Sequence, residues 1–331
     1  MHLTADAQAM LLLCSRLGLS NHPDLKPLTL REWNPLAQRL RNSSLRRPGA
    51  LLEATSDVLK EALDLPDAVV ERLARLLDRG GALAIELERL DSLGIWVLTR
   101  ADVDYPQRWR ERLRAAAPAV VFGAGEKALL GQPGVAVVGS RNVDEEGQTL
   151  AEFIGSACAH AGLVLYSGGA RGVDSLSAQA ALAGRGTSVG VLAHSLERLM
   201  RPPETRAALE RGDLALVTPY APDAGFSVGA AMGRNRLIYT LADYAIVVAS
   251  DAGKGGTWAG ATATLKAKWV PVFVLDGPTV PEGNRQLLKR GGIAFSVSSL
   301  TASLSLRDWL EEHSARSDSP AEKQPVQGKL F

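Results

Sequence analysis

The residues best suited to chemistry sit in four short segments. The first, Tyr166 to Asp174, reads Y-S-G-G-A-R-G-V-D; it follows the apolar run Leu163-Val164-Leu165 and precedes an Ala/Leu-rich helical run from Ser175 to Leu182. A strand that ends in a glycine-rich turn and passes into a helix presents free backbone N–H groups and the positive helix end to an anion. Ser167, Gly168, Gly169 and Gly172 let the backbone approach a ligand, Arg171 adds a cation that stays protonated, and Asp174 at the helix start can cap free N–H groups. The turn reads as a phosphate seat, although any strand-to-helix turn of an α/β protein also favours glycine. Gly139-Ser140-Arg141-Asn142 follows Val138, and Asp251 to Thr257, including Lys254, Gly255, Gly256 and Thr257, follows Val248 and leads into a helix at Trp258. Gly233-Arg234-Asn235-Arg236 begins a further helix and puts two guanidinium groups within one turn. Together these loops predict a site for a polyanion.

They do not predict turnover. None of the five histidines stands with a serine or cysteine in a nucleophile pattern, and no H-E-x-x-H or C-x-x-C spacing occurs, so no catalytic residue, metal or cofactor is expected. The dinucleotide signature G-x-G-x-x-G is missing after the first α/β strand, where the turn reads G-S-R-N-V-D. His160 and His194 read as surface or satisfied core residues. Aromatic residues make 5% of the chain, and the two nearest the loops, Phe226 and Trp258, read as core rather than as stacking platforms.

The elements that must hold these loops follow from the hydrophobic pattern. Apolar runs at Val135 to Val138, Leu163 to Tyr166, Val189 to Leu192, Leu214 to Val217, Tyr244 to Val248 and Val270 to Leu275 alternate with segments long enough for helices. Near-continuous apolar strands of this kind predict an α/β, doubly wound, Rossmann-like and mostly parallel sheet covered on both faces. Ligands should then lie beyond the carboxyl ends of the strands. Ile95 to Leu98 and Ala119 to Phe122 add two strands, with a helix opening at Tyr105-Pro106. From Thr4 to about Leu93 the spacing is helical throughout, and Thr29-Leu30-Arg31-Glu32 fits a capping box. Residues 1–93 are thus expected to form a small all-α domain, either a DNA-binding helical hairpin module, for which the glycine signature is poor, or a plain packing and partner-contact domain. Residues 94–312 form the Rossmann-like domain, which closes with a short strand near Ile293 and a helix from Leu300 to Glu312. Residues 313–331, rich in Ser, Pro and charge, are expected to be a disordered tail.

At 331 residues and 46% hydrophobic composition the chain can bury a sizeable core, and its net charge of +1 means that any basic site must be local. Cys14 and Cys158 are too few for a metal cluster or disulfide framework and read as buried thiols in a reducing cytosol. No apolar run reaches spanning length, so a cytoplasmic protein without a membrane partner is expected.

The segments G-I-W-V-L-T…Y-P, V-A-V-V-G-S-R, S-G-G-A-R-G-V-D and G-R-N-R-L-I-Y-T-L-A-D resemble the DNA processing protein A family (DprA, also called Smf), from about Gly94 to about Gly277. The resemblance implies an extended Rossmann fold, a positive pocket for single-stranded DNA, homodimerisation through the Rossmann domain and delivery of DNA to the recombinase RecA. Arg141, Ser167, Gly168, Arg171, Arg234, Arg236 and Lys254 with Gly256 become DNA-phosphate ligands on this likeness. The chain departs from the family at Ser177-Ala178, Thr218-Pro219, Ala249 and K-G-G-T-W-A-G-A, departures expected to cluster in the pocket. They leave open a nucleotide sensor or hydrolase in the same pocket, and an antitoxin-like interaction protein of the kind found in bacterial phage-defence modules. The G-G-T turn also resembles the phosphoribohydrolases of the lysine-decarboxylase-like family, but Trp258, Ala259, Gly260 and Ala261 offer no match for that group's glutamate. Gln327, Leu330 and Phe331 resemble the Q-x-x-L-F peptide that docks on the sliding clamp, against the alternative of an arbitrary apolar end.

Overall fold

A computed structural model of the chain describes residues 3–20, 22–301 and 305–318. The helical spacing of the first ninety residues yields α1 (Ala5–Cys14), α2 (Leu30–Asn42), α3 (Ser56–Leu63), α4 (Asp67–Leu77) and α5 (Gly80–Ser92). Glu32 accepts from the Thr29 N–H at 2.7 Å and its hydroxyl at 2.8 Å, so the expected box opens α2. Arg79, only 4% exposed, donates to the carbonyls of Leu12, Leu17 and Leu76 and so closes α1 and α4 from inside. Leu11, Leu13, Trp33, Leu40, Leu59 and Leu73 share one core cluster with Ile95, Val97, Phe122, Leu214 and Leu216 of the sheet. The change at Gly94 is therefore a change of secondary structure, across which the core continues.

Beyond it run β1 (Ile95–Thr99), α6 (Gln107–Leu113), β2 (Val120–Gly125), β3 (Gly134–Val138), α7 (Glu145–His160), β4 (Val164–Ser167), α8 (Val173–Ala183) and β5 (Ser188–Val191). Then follow α9 (Leu196–Leu199), α10 (Pro203–Glu210), β6 (Leu214–Thr218), α11 (Val228–Leu241), β7 (Tyr244–Val247), α12 (Gly255–Ala267) and β8 (Val272–Leu275). The described chain ends in α13 (Glu282–Lys289), β9 (Ile293–Phe295), α14 (Val297–Thr301) and α15 (Leu306–Asp318). The nine strands form one sheet in the order β1-β2-β6-β5-β4-β3-β7-β8-β9. Strands β3 to β9 are parallel, with pairs such as Ala136↔Tyr166 and Ala136↔Ala245, whereas β2 runs antiparallel to both β1 and β6. Every residue of β3 is buried, as a strand covered on both faces requires. One face packs under Trp109, Leu237, Tyr239 and Leu287, the other under Leu150, Ile154 and Trp309.

The order of connection sets the position of the site. From β3 the chain winds outward through β4, β5 and β6, then returns to lay β7, β8 and β9 on β3's other side. The β3 and β7 loops therefore leave the sheet in opposite directions and open a crevice between them. At the carboxyl end, α15 continues to Asp318, past the expected boundary at Glu312, because Leu306, Trp309 and Leu310 bury against β8 and β9. The clamp-like residues Gln327, Leu330 and Phe331 lie outside the described residues. Among the described residues no helix is long and apolar enough to cross a membrane.

Candidate nucleic-acid interface

The crevice between β3 and β7 holds a pocket of about 420 Å³. Its floor is built by loop-to-loop bonds. Thr257 Oγ1 donates to the Gly139 carbonyl at 3.0 Å, tying the start of α12 to the β3 loop. Asn284 accepts from the Ser250 N–H at 2.8 Å and donates to Val248 and Leu275 carbonyls, which fixes the β7 loop. Gly172, at φ +83°, lets the β4 loop meet the β3 loop: a Cβ there would stand 2.3 Å from the Ser140 carbonyl oxygen.

The pocket is electropositive for identifiable reasons. Arg141 lies over the Phe226 ring at 5.6 Å, and neither its guanidinium nor the Lys254 ammonium has a hydrogen bond or ion pair among the described residues. Lys254 is the N-cap of α12 and supplies no side-chain cap, which leaves the helix's first-turn N–H groups uncapped. Arg234, 5% exposed, donates from Nη1 to the Val191 carbonyl at 2.5 Å, while its buried Nε has no partner. Burial lowers its pKa, and the Asp174 carboxylate offsets part of that shift. Burial also pushes the Asp174 carboxyl up, opposed by Arg234 and by the amides of Gly168, Gly139 and Ala170. His194 stands edge-on to Phe226 at 6.5 Å; burial, then Arg234, Arg198 and Arg141, hold its pKa below 6.5, so the ring registers the field of the site. Asp251 is the exposed carboxylate on the rim.

The expected site residues divide into three groups. Gly139, Ser140, Arg141, Asp174, Arg234, Asn235, Lys254, Gly255, Gly256 and Thr257 line the pocket together. Ser167, Gly168, Gly169, Arg171 and Gly172 do not. The β4 loop lies one strand beyond the switch point, and its Gly168 N–H is already given to Asp174 Oδ2 at 2.9 Å. Arg171 is exposed outside the lining. Asp174 is not the helix cap: Gly172 is the N-cap residue of α8, and the Asp174 carboxylate turns back into the β4 loop. Arg236 faces away. Residues two apart on a helix point to nearly opposite sides, so Arg234 enters the pocket and Arg236 a separate cleft. Of the named departures, Ala249 and the K-G-G-T turn line the pocket, but Ser177 is buried inside α8 and Pro219 lines the cleft.

One residue read as core proves otherwise. Phe226 is 55% exposed at the pocket mouth, beside Val228 and Met232, and His194 is its neighbour. Phe226 immediately precedes Ser227, whose hydroxyl caps α11 by accepting from Ala230 N–H; that capping serine was the available signal that the phenylalanine stands outside the helix. Trp258 packs against the core cluster, as expected, beneath the Arg290 guanidinium.

Comparison with known proteins agrees with this fold. Residues 96–306 match the family model for DNA recombination-mediator protein A. The Smf protein of Escherichia coli (strain K12) is 31% identical over 182 residues, which is 53% of this chain and 48% of that protein. The chain thus spans about half the length of the curated relatives it matches. The crystal structure of DNA processing protein A from Streptococcus pneumoniae superposes with a TM-score of 0.68 at 21% identity, over 92% of this chain and 99% of that one. DNA processing protein A from Helicobacter pylori, described for its single-stranded DNA binding mode, gives 0.53 at 22% identity over 67% and 96%.

Proposed function

The chain belongs to the DNA recombination-mediator protein A family, and from that premise we propose that it is a non-catalytic, cytoplasmic binder of single-stranded DNA that protects a strand or passes it to a RecA-type recombinase. One observation carries the reading: at the switch point of the sheet, Arg141 and Lys254 have no hydrogen bond or ion pair among the described residues and stand beside the uncapped start of α12 and the half-satisfied guanidinium of Arg234. Such a set is costly to gather unless an anion completes it. The groups meet phosphates rather than base edges, and the exposed Phe226 ring offers a face that any base can stack on, so binding is largely independent of sequence. Hand-off to the recombinase and homodimerisation rest on the family likeness.

A second reading, a nucleotide ligand in the same pocket, draws support from the pocket volume of about 420 Å³. Hydrolysis of that ligand lacks support, since Asp174 is committed to the Gly168 amide and Asp251 stands alone.

Salt-titrated fluorescence anisotropy with an oligothymidylate tests the first reading. Arg141→Gln and Lys254→Gln should each weaken binding about tenfold and reduce the slope of log affinity against log salt by about 0.7 per lost phosphate contact. Wild-type affinity in both variants refutes the pocket. A nucleotide that raises thermal stability while oligothymidylate leaves it unmoved favours the second reading.

A further inference from the structure

Only two buried side-chain polar atoms lack a hydrogen bond among the described residues, and they belong to the same helix: Nε of Arg234 and Nε of Arg236. Arg234 faces the sheet-edge pocket. Arg236 faces a cleft of about 870 Å³ on the other side of α11, between the loop that follows α1 and the loop that follows β6. The helix is thus a shared partition, with Arg234, Asn235 and Ile238 on one side and Gly233, Arg236 and Leu237 on the other.

The cleft combines an apolar wall with two cations that have no hydrogen bond or ion pair among the described residues, the exposed Arg16 at its rim and the half-buried Arg236 on α11. Leu17, Leu28 and Leu237 line it, as does the half-buried ring of Tyr220, whose hydroxyl donates to the Ala230 carbonyl at 2.9 Å and holds the ring in place. Its acids Glu86 and Glu197 share the Arg89 guanidinium, each at 3.0 Å, a triad of net charge −1. Asp223 is exposed and Arg236 has no hydrogen bond or ion pair among the described residues. Between the two cavities the surface of α11 is bare. Gly229 and Gly233, one turn apart, are both exposed, and no atom lies within 4 Å of a Cβ built on Gly229.

We propose that the cleft is a second nucleotide subsite, in which single-stranded DNA leaving the sheet-edge pocket crosses α11 over Gly229 and Gly233, sets a phosphate on Arg236 and lays a base against the Tyr220 ring. The assignment rests on the single-stranded DNA reading of the sheet-edge pocket. An aromatic face and one guanidinium recognise a nucleotide unit of any sequence, and the shared helix makes the two subsites continuous.

The test is dependence on length. Oligothymidylates of about 6 and about 15 nucleotides, spanning the range of sites on single-strand binders, are titrated into the full chain. Arg236→Gln removes the cation, and Ser20→Trp, at an exposed lining residue with no hydrogen bond, narrows the cleft. Each should weaken the longer oligonucleotide five- to tenfold, and Arg236→Gln should also lower its salt slope by about 0.7, while the shorter one changes less than twofold. Equal affinity of wild type and both variants for the longer strand overturns the subsite, and so does a loss that is the same for both lengths. Thymidine monophosphate supplies the other arm. If it raises the melting temperature of wild type but not of Arg236→Gln, and longer-strand affinity is unchanged, the cleft takes a free nucleotide and the crossing path is overturned. Failure of the sheet-edge reading shows elsewhere, as wild-type affinity of Arg141→Gln and Lys254→Gln for the shorter strand.

Discussion

Replacing Gly168 by alanine tests how Arg234 is held. A Cβ at Gly168 would stand 1.9 Å from Arg234 Nη1 and 2.7 Å from both Arg234 Cζ and Asp174 Oδ2. The tip of an exposed arginine would swing away at little cost. This one is 5% exposed and bonded to the Val191 carbonyl at 2.5 Å, so it must leave its slot. Overpacking costs about 1–3 kcal/mol, and the lost charged hydrogen bond about 1.5–3 kcal/mol more. With an unfolding entropy of about 2.1 cal/mol/K per residue, a chain of 331 residues loses about 1.4 °C of melting temperature per kcal/mol, so Gly168→Ala should melt about 4–9 °C below wild type. Arg234→Met removes the obstacle. In that background the two nearest guanidinium atoms are gone, and a shift of a few tenths of an ångström relieves the contact with the Asp174 oxygen. Urea unfolding of wild type, both single variants and the double variant should therefore give a coupling of about 1–3 kcal/mol, with the alanine cheaper once the guanidinium is gone. Additivity within about 0.5 kcal/mol would refute the placement of Arg234 beneath the β4 loop.

The remaining predictions use other parts of the molecule. His194 is neutral near pH 7 because burial and the surrounding arginines depress its pKa; its share of stability is present above pH 6.5 and lost as the pH falls below it. A bound phosphate reverses that bias, so oligonucleotide affinity should rise as the pH falls from about 6.5 to 5.5. Parallel pH profiles for wild type and His194→Gln would refute this. Burial pushes the thiols of Cys14 and Cys158 up to about 12, so iodoacetamide at pH 8 should label neither in the folded chain and both after denaturation, as read by mass spectrometry. Arg79→Met strips the carbonyls of Leu12, Leu17 and Leu76 of their donor and should cost about 2–4 kcal/mol in a single unfolding transition, because the helices and the sheet share a core; two separate transitions would contradict that shared core.

Period and burial made the frame legible. The strands from β3 to β8 announce themselves as apolar runs because both faces of a parallel sheet are covered, and the box at Thr29 and Glu32 is a local bond between near neighbours. Less legible was what depends on partners far along the chain. Arg79 reads as a surface cation between two helices, yet it reaches carbonyls 62 and 67 residues away. The antiparallel placement of β2 between β1 and β6 depends on a pairing with Thr218 and its neighbours that no local pattern encodes. The anchoring of α15 on the sheet follows from burial of Trp309 against Phe273 and Phe295, which outweighs a polar composition.

For the site, the types of residue were legible and their directions were not. Glycine-rich turns after strands identify loops at one sheet edge, but the order of strands decides which two loops part, and that order places β3 beside β7 and moves β4 aside. The most conspicuous motif, Y-S-G-G-A-R-G-V-D, reaches the pocket only through Ala170 and Asp174 and otherwise supports it: Gly172 admits the β3 loop, and Asp174 draws in the Gly168 amide while lending Arg234 a counter-charge. Helical geometry then separates Arg234 from Arg236. That separation forces a choice on any ligand that needs both guanidinium groups, since it must either pass over α11 or leave one of them unsatisfied.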